Sequence, residues 1–427
     1  MHLKWVILDN VRSISTLRWE PTNAGAGWHV ILGDNGAGKS GFLRALALAL
    51  VGPQEAIALR QDWNEWLKRG TGTGFIDVRL EPHRDFDSLS KAGKLPTKWL
   101  LEAKLDFVRS ADHVELKASS HHLDPKRNVW GGQRGWFSAS YGPFRRFTGG
   151  DKDQEKLYYS NPKLARHLSV FSESVALSEC LEWLKLLQFK KLEKDPEGEL
   201  LEPVRAFVNQ AGFLPHEARL ESITSKGVLF VDGNGCEVPV ENLSDGYRSI
   251  LSMTFELIRQ LAATYGAQRI FDPADPSKIV VPGVVMIDEI DAHLHPTWQR
   301  RVGRWFRDHF PAIQFIVSTH SPLICQAADV GSIFRLPKPG SSDQPGMVTG
   351  VARDRLLYGN VLDAYGTGAF GEVTTRSPEA MEHLSRLAEL NQKEMEEGLS
   401  DEERKEQRRL RDILPTAASA GAEDSAA

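Results

Sequence analysis

Residues 31–40 read ILGDNGAGKS. Two aliphatic residues lead into a glycine-rich run that closes on a lysine and a serine. The run fits G-x-x-x-x-G-K-[ST] in full, from Gly33, Asp34, Asn35, Gly36, Ala37 and Gly38 to Lys39 and Ser40. Each residue type has a task. Glycines let the backbone curl so that several N–H groups point inward at phosphate oxygens. A helix starting at the lysine aims its positive end at the same place. Lys39 reaches the outer phosphates, and the Ser40 hydroxyl can ligate Mg²⁺. The stretch therefore predicts a nucleoside triphosphate site.

The flanks supply the context this loop needs. WHVIL before it reads as a short buried strand, and SGFLRALALALVG after it reads as an Ala/Leu helix stopped by Gly52-Pro53. Upstream, LKWVILDNV and STLRWEP alternate as a hairpin. Downstream, GFIDVRLEP and WLLEAKLDFV read as sheet strands. Residues 109–135 are polar and are expected to be loop, and WFSASYGPFRRF is a strand running into a turn. Residues 160–212 turn helical, without the sustained heptads of a long coiled-coil arm. GVLFVDGNGCEVPV is a hairpin with an Asn-Gly turn. A helix over 247–264, a strand over 279–287, a helix over 296–309 and a strand over 313–318 follow, the alternation of a parallel sheet.

Two strands end in chemistry. VVMIDEIDAHLHP (284–296) closes on paired carboxylates. Asp288 is placed to complete a Mg²⁺ shell, and Glu289, facing the other way, to activate water. Asp291 follows at a turn from which it can reach a second subunit. FIVSTHSPL (315–323) ends at His320, placed to touch the γ-phosphate and the attacking water. Between loop and carboxylates, NLSDGYRSILSMTFELI (242–258) reads as a helix start with Leu243, Ser244, Asp245 and Gly246 at its mouth. Ser244 is expected to cap it, and Gly246 to let a phosphate approach the backbone.

Bulk composition narrows the setting. The net charge of −5 sets up no global basic field, so any nucleic-acid contact needs a local patch. Cys180, Cys236 and Cys325 are scattered and odd in number, which predicts reduced thiols and no disulfide or zinc framework. No apolar run approaches the ~18–20 residues of a membrane span. A cytoplasmic protein without membrane contact is expected.

The order of glycine loop, Ser-Asp-Gly helix, carboxylate strand and histidine turn resembles the ABC-type ATPases, and LSDGYRS resembles their signature motif. The resemblance implies an α/β P-loop NTPase fold: an ABC-type ATPase head with a helical insertion lobe and a short helical C-terminal region. It implies ATP and Mg²⁺ as cofactors, and a head-to-tail dimer in which Leu243, Ser244, Asp245 and Gly246 act in trans on ATP held by the partner, with Asp291 in the D-loop. In that family a glutamine senses Mg²⁺ and water, and Gln61 and Gln133 are both candidates for it. Arg12 is placed on the base side of the nucleotide. The long stretch between Ser40 and Asp288, and Ser-Asp-Gly-Tyr in place of Ser-Gly-Gly-Gln, argue against a transporter subunit.

The start LDNVRSISTLRWEP and IDEIDAHLHP resemble the RecF-like and OLD-like branch. The residues after His320 are too few and too helical for a Toprim nuclease, so no nuclease activity of its own is expected. SYGPFRRF, ALSECLEWLKLL, DEIDAHLHPTWQR, STHSPLICQ and LYGNVLDAYG together resemble the Septu-type and retron-associated ATPases of anti-phage systems. That resemblance implies a homo-oligomer holding a separate HNH-type nuclease. Two other functions stay open: a RecF-like repair ATPase contacting DNA directly, and an ATP-stabilised scaffold with negligible turnover.

The expected divisions are an N-terminal part of the head over 1–160, a helical lobe over 161–215, the C-terminal part of the head over 216–350, a helical region over 351–414 and a disordered tail over 415–427. Arg145 and Arg146, among Phe144 and Phe147, could form a nucleic-acid patch or a strand end neutralised by a neighbouring acidic segment. His293 and His295 read as structural, since their spacing does not put them on one helical face.

Overall fold

Two sheets enclose the helix that follows the glycine loop. The computed structural model describes residues 1–88, 100–119, 124–131, 135–151, 157, 160–365, 367, 370 and 377–414. In chain order the strands are β1 (His2–Val11), β2 (Ile14–Trp19), β3 (Gly27–Leu32), β4 (Thr73–Glu81), β5 (Leu101–Ser110), β6 (His113–Ser119), β7 (Ser138–Tyr141), β8 (Arg219–Thr224), β9 (Gly227–Val231), β10 (Glu237–Pro239), β11 (Gly283–Ile287), β12 (Ile313–Thr319), β13 (Gly331–Arg335) and β14 (Gly346–Met347). The longer helices are α1 (Lys39–Val51), α2 (Glu179–Leu192), α3 (Leu201–Val208), α4 (Asp245–Tyr265), α5 (Pro296–His309), α6 (Gly350–Tyr358), α7 (Pro378–Glu396) and α8 (Asp401–Ile413).

An antiparallel sheet runs β2-β1-β4-β5-β6, and a mostly parallel one runs β14-β13-β3-β12-β11-β7. Helix α1 lies against strands of both sheets. Every residue from Ala45 to Val51 is buried, which is why this helix is apolar all round. On the other side of the parallel sheet a second core collects α2, α3, α4 and α5 with Trp28, Phe315 and Trp305. A small antiparallel sheet, β10-β9-β8, completes this unit, which spans Met1–Phe370. The second unit begins at Gly371. Its described part is a hairpin of α7 and α8 around Leu390, Leu399 and Leu410, with Ser400 and Glu403 forming a capping box. Helix α6 belongs to the first unit and the hairpin to the second. Among the described residues no single helix is long and apolar enough to cross a membrane. All three cysteines are free.

One expectation is corrected. The polar stretch read as loop over 109–135 contains β6, which pairs with β5 from Lys104↔Ser119 to Ser110↔His113. It is an edge strand with Val114 as its one buried residue, so its apolar alternation is too weak to see.

Gly331 begins β13 opposite Trp28 with φ 149°, and a Cβ there would sit 2.0 Å from the Trp28 carbonyl oxygen. Gly331→Ala is expected to cost about 3 kcal/mol or more, read as a lower chemical-denaturation midpoint. An unchanged midpoint would mean that β13 can part from β3 at no cost.

Burial of histidines is expected to make the fold acid-labile. His2 and His29 are pushed down to about 4, and His167, between Ser138 and Ser140, well below its ordinary value. These rings stay neutral in the fold, while the unfolded chain takes up protons below its ordinary histidine value of 6.5. The unfolded state then binds more protons, so stability is lost as pH falls from 6.5 towards about 4. Asp77, raised by burial, works in the opposite sense. The urea midpoint is expected to be lower at about pH 5 than at about pH 7.5; an equal or higher value would refute this assignment.

Candidate functional site

Strands β3, β12, β11 and β7 are parallel neighbours. The segments that follow them leave one edge of the sheet: the glycine loop, His320, Asp288–Asp291 and Gly142–Arg145. Parallel register, rather than sequence proximity, gathers the site.

In the glycine loop, Gly36 and Gly38 adopt φ of 78° and 100°. A Cβ on Gly38 would approach Ser13 Oγ to 3.1 Å, so the hairpin turn between β1 and β2 braces the loop. The N-terminus of α1 has no side-chain cap and no acid in its first turn, leaving its positive end uncompensated. Lys39 Nζ donates to the Gly33 carbonyl at 2.8 Å and the Asp34 carbonyl at 3.1 Å. Burial lowers the pKa of this ammonium, while Glu289, Asp288, Asp291 and Asp34 oppose the shift. Four acids thus lie within electrostatic reach of the one lysine.

Asp288 is buried, with its N–H on the Tyr141 carbonyl at 2.8 Å and its carboxylate accepting from Ser318 Oγ. Ser318 Oγ also accepts the Glu289 N–H at 2.8 Å. Glu289 has a left-handed backbone, φ 47°, which costs about 1–3 kcal/mol unless its surroundings fix it. Thr319 Oγ1 donates to the Asp291 carboxylate at 2.5 Å, so within this chain Asp291 is tied to the end of β12. His320 is half-buried; burial lowers its pKa first and Lys39 second, with Asp291, Glu289 and Asp34 opposing. The structure therefore brings Lys39, Asp288, Glu289, Asp291 and His320 together.

The donor set suits a nucleotide with a hard cation. Ser40 and Asp288 offer oxygen ligands, which Mg²⁺ prefers. Among the described residues no cluster of three His, Cys, Asp or Glu could hold a metal. A cation here would complete its shell from phosphate and water, as Mg²⁺ does. His295 caps α5, accepting from the Thr297 N–H at 3.4 Å.

The Ser-Asp-Gly segment opens elsewhere. Ser244 precedes α4 and is exposed, but its side chain makes no capping bond, contrary to expectation. Leu243 is buried as an anchor, and Asp245 pairs with Arg248. A Cβ on Gly246 would lie 2.8 Å from the His293 carbonyl oxygen, so α4 begins directly on the turn after the carboxylates. Ser244, Asp245 and Gly246 line a cavity of about 760 Å³ with Tyr247, His293 and Trp298, and no glycine-loop residue lines it.

Arg145 is not a surface patch. It is 4% exposed and bonded to the carbonyls of Asp288 and Glu289, which sequence reasoning missed. The one signal was its place just after a strand ending in Gly-Pro. Arg146 donates to the carbonyls of Gly149 and Glu173. Arg12, at the turn that braces the glycine loop, lies 5.1 Å over Trp66 and donates its N–H to the Trp66 carbonyl. Gln61 is half-buried between the turns Ile57–Leu59 and Trp63–Glu65. Gln133 lies outside the described residues. Neither is on the segment that follows β7, where the structure places Arg145.

The chain is 27% identical over 321 residues to the Septu protein PtuA of Bacillus mycoides (strain KBAB4), covering 74% of this chain and 37% of that protein. It is 34% identical over 145 residues to the Retron Ec83 probable ATPase of Escherichia coli, covering 34% and 26%. It is 40% identical over 91 residues to the Retron Vc95 probable ATPase of Vibrio cholerae serotype O1 biovar El Tor, covering 21% and 16%. The chain thus spans 37% or less of the length of each of these relatives. The family described as "AAA domain, putative AbiEii toxin, Type IV TA system" matches residues 107–326, just over half of the chain and the part that holds the carboxylates, the histidine turn and the Ser-Asp-Gly helix, and the protein belongs to it.

Proposed function

We propose that this chain binds and hydrolyses ATP, giving ADP and phosphate, at a site completed by a second copy, and that it governs a separate nuclease in anti-phage defence. The observation that carries the reading is the division of the site into two faces. Lys39, Asp288, Glu289 and His320 converge at the edge of the parallel sheet, whereas Ser244 and Gly246 face a different cavity. A signature segment that lines a cavity without any residue of its own glycine loop can serve another chain's nucleotide. Head-to-tail pairing satisfies both faces at once.

Each residue then has a role. The glycine-loop N–H groups and Lys39 would bind the phosphates, with Ser40 and Asp288 holding Mg²⁺. Mg²⁺, when bound, draws off charge that develops on the phosphates. Glu289 orients and deprotonates water, held by its backbone at the strand end. His320, whose neutral form is favoured because burial lowers its pKa, would contact the γ-phosphate side. Ser244 of the second copy closes the site, so turnover waits on assembly.

His320→Ala is expected to lower kcat by about 10–100-fold while leaving ATP affinity within about threefold. Equal losses in kcat and affinity would reassign His320 to ground-state binding.

Similarity to Septu and retron proteins supports the defence setting. Within the patch considered for the repair alternative, Arg145 and Phe147 are buried, which counts against that reading. Affinity capture of the tagged chain from its host in Mg-ATP, with mass spectrometry, tests the setting. A stoichiometric HNH-type nuclease is the expected result. Repair proteins with nuclease-sensitive DNA would transfer the chain to the RecF-like alternative.

A further inference from the structure

Among the described residues, the Arg145 side chain bonds only to main-chain carbonyls and one hydroxyl. Its Nε donates to Ser249 Oγ at 2.9 Å, inside α4. One terminal nitrogen donates to the Gly142 carbonyl at 2.9 Å and the Asp288 carbonyl at 2.8 Å. The other donates to the Glu289 carbonyl at 3.1 Å. One guanidinium therefore joins three segments: the turn after β7, the carboxylate turn after β11, and the helix that Ser244 begins.

Glu289 is the residue that needs such a clamp. Its left-handed backbone is held from both sides: its N–H by Ser318 and its carbonyl, with the carbonyl before it, by Arg145. Rotating the peptide between Asp288 and Glu289 would break an Arg145 bond. Packing alone does not call for a charge here. A buried guanidinium carries a large desolvation cost, and an apolar side chain of similar volume would fill the space without it.

We propose that Arg145 is a positioning residue for hydrolysis: it fixes the backbone of Glu289 and ties it to the signature helix through Ser249. A shift of α4, whose N-terminus faces the second copy in the proposed assembly, is then transmitted to the base that handles water. The inference rests on the ATPase reading above. Arg145 acts through Glu289, whose carbonyl it holds.

The test compares the full chain with Arg145→Lys and Ser249→Ala in steady-state ATP hydrolysis, fluorescent-nucleotide binding and thermal melting. Lysine keeps the charge but cannot reach three acceptors and Ser249 together. Arg145→Lys is expected to lower kcat by about 10–100-fold, the scale of a small misplacement, with KM and nucleotide affinity within about threefold. Ser249→Ala removes only the link to α4 and is expected to lower kcat by about threefold to tenfold at unchanged KM. Wild-type kcat in Arg145→Lys would overturn the proposal, as would a joint fall of kcat, affinity and melting temperature. Wild-type kcat in Ser249→Ala would overturn the coupling to α4. Absence of turnover in the wild-type chain would instead overturn the ATPase reading, and this inference with it.

Discussion

Glu289→Gln is expected to bind ATP as the wild type does and to hydrolyse it roughly 10²–10⁴-fold more slowly. The amide is nearly isosteric, so the two bonds that fix the backbone at 289, the N–H donating to Ser318 Oγ and the carbonyl accepting from Arg145, are unaffected. Only the proton acceptor is removed. Affinity is not expected to fall, because Glu289 is one of four acids acting on Lys39, and removing one negative charge lessens the repulsion that phosphate meets there. Since ATP would then persist, the variant should accumulate in the assembled state, visible by light scattering in Mg-ATP. Hydrolysis at the normal rate would dismiss Glu289 as the base.

Lys39→Ala is expected to abolish measurable nucleotide binding, a loss of about 100-fold or more. A charged donor to phosphate contributes about 1.5–3 kcal/mol, and removing it also leaves an acidic cluster facing an anion. Asp34, Asp288, Glu289 and Asp291 all act on this lysine, so the alanine variant presents phosphates with repulsion where the wild type presents a cation. The lysine also bonds the Gly33 and Asp34 carbonyls, and these would lose their donor. A fluorescent-nucleotide titration, with a thermal melt as the control for folding, checks this. Affinity within a few-fold of wild type would move the phosphate grip to the loop N–H groups alone.

Both predictions rest on motifs legible in the sequence, because local chemistry fixes them. A loop that wraps phosphate needs glycines at set spacing, and a strand ending in two acids stands out against its own apolar run. The α5 helix, Pro296–His309, was also readable to the residue from its start and stop signals. What was not legible depends on partners far away in the chain. β6 has one buried residue and is a strand only because β5 lies beside it. For Arg145 the sequence leaves open a nucleic-acid patch or a strand end neutralised by an acidic segment, and the carboxylate turn it meets depends on β7 lying in register with β11, Tyr141 opposite Ile287. Ser318 and Thr319 read as ordinary strand residues, yet their hydroxyls hold Asp288 and Asp291. Such supporting groups carry no motif of their own, since any hydroxyl at that height on β12 would serve.

In the proposed mechanism hydrolysis occurs between two copies, with the glycine loop from one and Ser244 from the other. Mixing two separately inactive variants, Lys39→Ala and Ser244→Arg, tests it most directly. In a mixed pair, one site would combine the intact glycine loop of the Ser244→Arg chain with the intact Ser244 of the Lys39→Ala chain. Mixing is expected to restore ATP hydrolysis that neither variant shows alone. If both variants fold and associate but the mixture stays as inactive as its components, Ser244 does not act across the interface and the shared site is wrong.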